Sequence, residues 1–428
     1  MSTRPALARA LTTWDVVAIG VNGVIGGGIF LAPATVARLA GGWSTAVYLF
    51  SGALVALIAL CFAEVGGRFG RSGGPFLYAQ EAFGPFTGFQ IGWFTWIARI
   101  TSLASLANGL VTYAGYLAPE AGSGIPRVAI LALLLGGLSL INILGVAWGA
   151  WAIDVLTIVK MAPLALFVLA GIAHIEPARL SPGAAPDLSK LAEAALFMIY
   201  VFGGFEVLVF PAEEMIDHRR AVPRAIFVTL GVVALVYLSI HVVAMGTLAD
   251  LGATSTPLST AAQGFLGSAG GILITIGALL SICGTESGLM LTTPRLIYAM
   301  ADHGHLPASL CRVHPRWRTP HIAIAAQGAL ALGLATAGSF EELAKLSAIA
   351  RIVSYAATCL ALLVFRARGG GSASFTVPGG PVIPVAAVLL CAGLVATSSA
   401  RHLALGAAAL AVGTLFYLLR LRQASKAH

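Results

Sequence analysis

Charge is what this sequence has least of. Only 10% of its 428 residues are charged and 17 are acidic, against 58% hydrophobic. So little polar material cannot cover a core of this size, which excludes a water-soluble globule. Cysteine is scarce as well. Cys61, Cys283, Cys311, Cys359 and Cys391 fall in or beside apolar runs with no metal-ligand spacing, so a disulfide scaffold or zinc module is excluded and packing is their expected role. Signatures of catalysis are missing too: the Gly-rich segments lack a Gly-Lys-Ser/Thr ending, and there is no His-Glu-x-x-His pair. His303, His305, His314 and His321 crowd one loop around "HPRWRTPH" and read as interfacial. With so little sequence flanking the apolar region, the soluble output domain of a receptor is not expected. Neither an enzyme nor a cofactor is expected.

What is present is a series of charge-poor runs, each near the roughly 20 residues that cross a bilayer. Twelve are read, at 14–38, 43–64, 86–118, 128–146, 152–173, 194–212, 225–249, 267–299, 322–339, 345–365, 380–398 and 402–420. The net charge of +8 does not point to nucleic acid, because Lys and Arg sort by loop. With the N-terminus inside, fifteen of the 25 fall in cytoplasmic segments (Arg4, Arg9, Arg68, Arg71, Arg219, Arg220, Arg224, Arg312, Arg316, Arg318, Arg366, Arg368, Arg420, Arg422 and Lys426). Six are external: Arg38, Arg127, Arg179, Lys190, Lys345 and Arg401. This distribution predicts a multi-pass protein of the cell membrane with both termini cytoplasmic. No cleavable leader pattern precedes the first run, which is expected to remain in the mature chain.

Two of the runs are broken. "GVIGGGIF" (23–30) carries four glycines in six positions, and "MIYVFGGFEVLVF" (198–210) is interrupted at Gly203 and Gly204 with Glu206 following. In a bilayer, backbone freed by such a break persists only against protein or a water-filled cavity. Gly27 and Gly204 stand 177 residues apart, each opening a set of five spans. An odd number of spans per set inverts the second copy, so the chain reads as one transporter domain with inverted repeats at 14–173 and 194–365 and two extra helices at 380–420. Exposed N–H groups at a half-helix N-terminus suit a carboxylate, and free carbonyls at a C-terminus suit an ammonium. An amino acid has both.

The motifs carry a resemblance. "GVIGGGIFLAPA", "EVGGRFGRSGGPFLYAQEAFGPFTGF", "FGGFEVLVFPAEEMIDHRRAVPRAI" and "PRLIYAMADHGHLP" occur in the order found in the amino acid, polyamine and organocation transporter superfamily. The sequence is similar to the bacterial relatives of the L-type amino acid exchangers over nearly its whole length. That resemblance implies an all-α LeuT fold with the first and sixth helices discontinuous. It implies a carboxylate site on the backbone at Ile25, Gly26, Gly27 and Gly28. An amino-group site is implied on carbonyls at Tyr200, Val201 and Phe202, beside Gly203 and Phe205, with Tyr200 as the external gate. Gly27 stands where the family usually has Ser, which removes a hydroxyl and keeps the backbone donors. A cysteine that links a single-span subunit in mammalian relatives has no counterpart in "APEAGSGIPR", so no disulfide-linked partner is expected.

Ionisable residues inside spans cost roughly 2.5–3.5 kcal/mol each on insertion scales. Lys160, about 12 Å into its helix, matches a lysine that replaces sodium in related transporters, bridging the first, fifth and eighth spans and able to exchange a proton. Glu206 is the second coupling candidate, as a proton carrier or as a partner of the unwound backbone. Arg99, Glu286 and Arg351 are expected to pair, in an order the sequence leaves open. Ser281, Thr285, Ser287 and Ser354 are candidate cavity liners. Phe202, Phe205 and Cys283, with small residues near Thr101 and Ser105, suggest an apolar side-chain pocket and a neutral amino acid. A cationic amino acid or polyamine is the alternative, with Glu206 or Glu286 as its carboxylate. Transport is expected to be sodium-independent exchange or proton symport.

Overall fold

The computed structural model describes residues 11–69, 73–145, 150–210, 212–302, 304–369 and 374–426. Arg4, Arg9, Arg71, His303 and the side chains of Arg422 and Lys426 lie outside the described residues. The described residues form α-helices and short 3₁₀ turns, with an isolated bridge between Leu11 and Met215 and no strand.

The first broken run becomes α1 (Thr13–Val24) and α2 (Gly28–Ala40). Thr12 starts α1 through a capping box in which the Asp15 carboxylate accepts from the Thr12 N–H at 2.8 Å. Then come α3 (Ser44–Arg68), α4 (Gly74–Phe83), α5 (Pro85–Leu117), α6 (Gly124–Ile143) and α7 (Ala150–Gly171). The second broken run is α8 (Leu188–Val201) followed by a 3₁₀ turn at Phe205–Val209. After it follow α9 (His218–Thr247), α10 (Pro257–Asp302), α11 (His321–Ala337), α12 (Phe340–Ala367), α13 (Val382–Ala396) and α14 (Ala400–Lys426).

Each charge-poor run is helical over most of its length, and the differences have local causes. The connection between the second and third runs contains α4, a ten-residue helix that the hydropathy reading passes over because it is too short to span. The eighth run starts ten residues earlier than read, and Gly267 (φ 71°) kinks α10 where the apolar stretch was expected to begin. That left-handed backbone is what glycine supplies.

Among the described residues, seven stretches are long and apolar enough to cross a membrane: Gly28–Arg68, Gly124–Ile143, Leu188–Val209, His218–Thr247, Pro257–Asp302, Phe340–Ala367 and Ala400–Arg420. The protein is therefore a multi-pass membrane protein. Its outer helices match that solvent, since Leu133 and Leu140 on α6 and Leu415 and Leu418 on α14 are exposed.

Inside, α5 packs along α12 and α10, while α9 lies against α1 and α3. The two broken segments lie between these groups. Charges near the ends are satisfied across the chain: buried Glu64 on α3 pairs with Arg68 and with Arg366 of α12, and accepts from the Val377 N–H at 2.7 Å.

Candidate functional site

The two breaks face each other. A Cβ on Gly204 (φ 118°) would stand 2.4 Å from the Gly23 carbonyl oxygen, so backbone meets backbone and no side chain fits between. Around this contact lies a cavity of about 240 Å³ lined by Asn22, Gly26, Gly27 and Gly28 of the first break and Tyr200, Val201, Gly203, Gly204 and Glu206 of the second. Arg99, Ser102 and Leu106 of α5, Thr285 and Thr292 of α10, and Arg351 of α12 complete the wall.

α2 begins at Gly28 with Gly27 as N-cap and no side-chain cap, which leaves the first-turn amides of α2 directed at the cavity without a side-chain acceptor. The glycines of the triplet are not equivalent. A Cβ on Gly27 would lie 2.4 Å from Ile282 and 2.9 Å from Leu106, one on Gly26 would lie 3.1 Å from Thr285, and one on Gly28 would make ordinary contact with Tyr200 at 3.5 Å. The serine usual at position 27 has no room here because Ile282 occupies its place.

Carbonyls released by the breaks are bound by side chains from other helices. Lys160 of α7, 2% exposed, donates to the Asn22 carbonyl at 3.0 Å, to the Asn22 side chain and to the Ile25 carbonyl at 2.7 Å. No bond from Lys160 to α10 occurs among the described residues, so its bridge joins two of the three expected spans. Tyr237 of α9 donates from one hydroxyl toward the Val24 carbonyl at 2.7 Å and the Val201 carbonyl at 3.2 Å, touching both breaks. The sequence reading missed Tyr237, a lone tyrosine in an apolar run that carries no motif.

The charged pairing left open by the sequence resolves as Arg351 with Glu206. Both are buried, and Glu206 also accepts from the Gly204 N–H at 2.8 Å and the Tyr355 hydroxyl at 2.8 Å. Of the two roles expected for Glu206, this geometry realises the bond to unwound backbone. Gly203 makes the pairing possible, since a Cβ there would stand 2.8 Å from the Arg351 guanidinium carbon. Arg99 donates to Thr292 at 3.2 Å and lies 4.8 Å from the Phe210 ring centre, a cation–π distance. Glu286 is fully buried with neither oxygen bonded among the described residues.

Several expected wall residues lie elsewhere. Phe202 packs on Tyr237 and Phe205 on Phe62 and Tyr355, while Ile25 contributes its carbonyl to Lys160. Phe202, Phe205, Ile25, Cys283, Thr101 and Ser105 are absent from the cavity lining, as are Ser281, Ser287 and Ser354; Thr285 is on it. Ser287 instead donates to its own helix, at the Cys283 carbonyl. The pocket is consequently more cationic than the apolar wall read from the sequence.

Above Tyr200 the cavity is shut. Tyr200 and Phe340 meet edge to face with ring centres 6.0 Å apart, and Phe197 also meets Phe340 at 6.0 Å. On the far side of Phe340 a separate recess of about 450 Å³ is lined by Leu31, Thr35, Arg38, Thr112 and Glu341. There Arg38 of α2 pairs with Glu341 of α12, and Thr35 donates to the same carboxylate at 3.0 Å.

A cavity with charged side chains on its wall at the meeting point of two broken helices, inside a shell of membrane-length apolar helices, defines a membrane permease for a small solute. More particularly, the chain belongs to the amino acid permease family, whose model matches residues 11–415. It is 30% identical to the serine/threonine exchanger SteT of Bacillus subtilis over 86% of each chain. It is 28% identical to the methylthioribose transporter of the same organism over 99% of this chain and 96% of that one. The large neutral amino acids transporter small subunit 2 of Oryctolagus cuniculus is 31% identical over 74% of this chain and 62% of its own length.

Proposed function

We propose that this chain is a secondary transporter that carries amino acids across the cell membrane by alternating access, as a sodium-independent exchanger or proton symporter. Twelve crossings in a LeuT-type arrangement with cytoplasmic termini accommodate both the run pattern and the loop charges. The observation that carries the reading is the pairing of two broken helices across one cavity, with the uncapped α2 N-terminus on one side and the end of α8 on the other. The α-carboxylate binds the amides at Gly27 and Gly28, and the α-amino group binds carbonyls at the end of α8. Lys160, on the first break, supplies the fixed cation that makes a sodium ion unnecessary.

A cationic side chain fits this cavity poorly, because Arg99 and Arg351 both line it and Glu206 is committed to Arg351 and Tyr355. The test is uptake into proteoliposomes with a panel of labelled amino acids and a thiosugar. It is run with and without internal amino acid, with and without sodium, and across a pH gradient. Uptake of an amino acid stimulated by internal amino acid or an inward proton gradient supports the reading. Strict sodium dependence, or uptake of the thiosugar alone, refutes it.

A further inference from the structure

The charges on the cavity wall do not balance. Arg99, Arg351 and Glu206 all line it, and Glu206 forms an ion pair with Arg351. Arg99 is left with a hydroxyl partner, Thr292, and an aromatic face, Phe210; among the described residues no carboxylate is within ion-pair distance. Arg99 is 5% exposed and presents what is left open of it to the cavity. A guanidinium carries five N–H donors and stays charged. Holding one in a membrane interior without a carboxylate partner is costly, and an anionic ligand in the cavity offsets that cost.

Position supplies the second observation. Arg99, Ser102 and Leu106 run along the cavity face of α5 at helical spacing, and Leu106 is the residue against which Gly27 packs. Arg99 and the uncapped N-terminus of α2 therefore line the same cavity, Arg99 about two turns along α5 from the residue that Gly27 meets. The cavity thus offers two anion-binding points, the first-turn amides of α2 and the Arg99 guanidinium.

We propose that Arg99 is a specificity-determining residue and that the preferred substrate is an amino acid with an acidic side chain, its second carboxylate on Arg99. This rests on the transport reading above and selects among its substrates. The charge of the bound side chain neutralises the surplus cation, so the loaded cavity is balanced when the spans move.

The experiment is uptake of labelled L-glutamate, L-serine, L-leucine and L-arginine by the full chain in proteoliposomes, for the wild type and for Arg99→Gln and Arg99→Lys. Expected is wild-type uptake of glutamate above the other three. Arg99→Gln should lose glutamate uptake on the order of ten- to hundredfold, as removal of a charge-assisted contact implies. The same variant should keep or gain serine uptake, and Arg99→Lys should fall between. Retained serine uptake also certifies that the variant is folded. Should the wild type carry serine or leucine and ignore glutamate, the inference fails while the transport reading stands; should it carry none of the four, the transport reading fails first. Equal loss of serine and glutamate in Arg99→Gln, with Arg99→Lys folded by thermal shift, would assign Arg99 to the common amino acid backbone and overturn the proposal.

Discussion

At Gly203 the broken span leaves room for a guanidinium and nothing more. Gly203→Ala should expel Arg351 from its place beside Glu206 and abolish uptake, whereas Gly28→Ala, where a Cβ makes ordinary contact at 3.5 Å, should leave uptake within a few-fold of wild type. Gly27→Ala belongs with Gly203, since Ile282 is 2.4 Å from its added carbon; paired uptake measurements on the three variants check the order. Glu286 makes a different forecast. A buried carboxyl with neither oxygen bonded is a cost to the fold, so Glu286→Leu should stabilise by about 1–3 kcal/mol, read as a rise in melting temperature in detergent. A drop would mean that the carboxyl has a partner in the folded protein. These contacts were hidden from the sequence for a physical reason. The glycines announce a break, but what fills the slot beside each comes from helices more than a hundred residues away, as Arg351 does for Gly203.

Among the elements, the broken helices were the most legible, because four glycines in six positions defeat a membrane helix wherever they occur. Their supports were partly legible. Lys160 stood out as a charge in an apolar run, while Tyr237 looked like any aromatic in α9. The orientation of Phe202 and Phe205 was out of reach, since it depends on which distant rings each packs against: Phe202, at the end of α8, meets Tyr237, and Phe205, opening the 3₁₀ turn, meets Phe62 and Tyr355. Tyr237→Phe removes a hydroxyl that serves carbonyls of both breaks and should cut uptake roughly tenfold, the scale of one lost buried hydrogen bond of about 1.4 kcal/mol. Lys160→Ala should leave the protein inserted but alter apparent affinity differently on its two sides, measured by uptake in right-side-out and inside-out vesicles. Identical kinetics in both orientations would reduce Lys160 to a packing role.

For the whole molecule, composition alone pointed to a membrane protein, the family resemblance to an all-helical one, and the loop charges predict an orientation that a cysteine placed near the C-terminus can test by labelling intact cells: only permeant reagents should react. The net character of the cavity was not legible at this scale. Counting charges along the chain says that spans hold Arg99, Glu286 and Arg351, but their balance depends on which of them share a wall. The two broken spans meet where the Gly23 oxygen occupies the place of an absent Gly204 side chain. Two levers that bear on each other at a single bare point share a fulcrum, so tilting one broken span transmits force to the other with no side chain between them to absorb it.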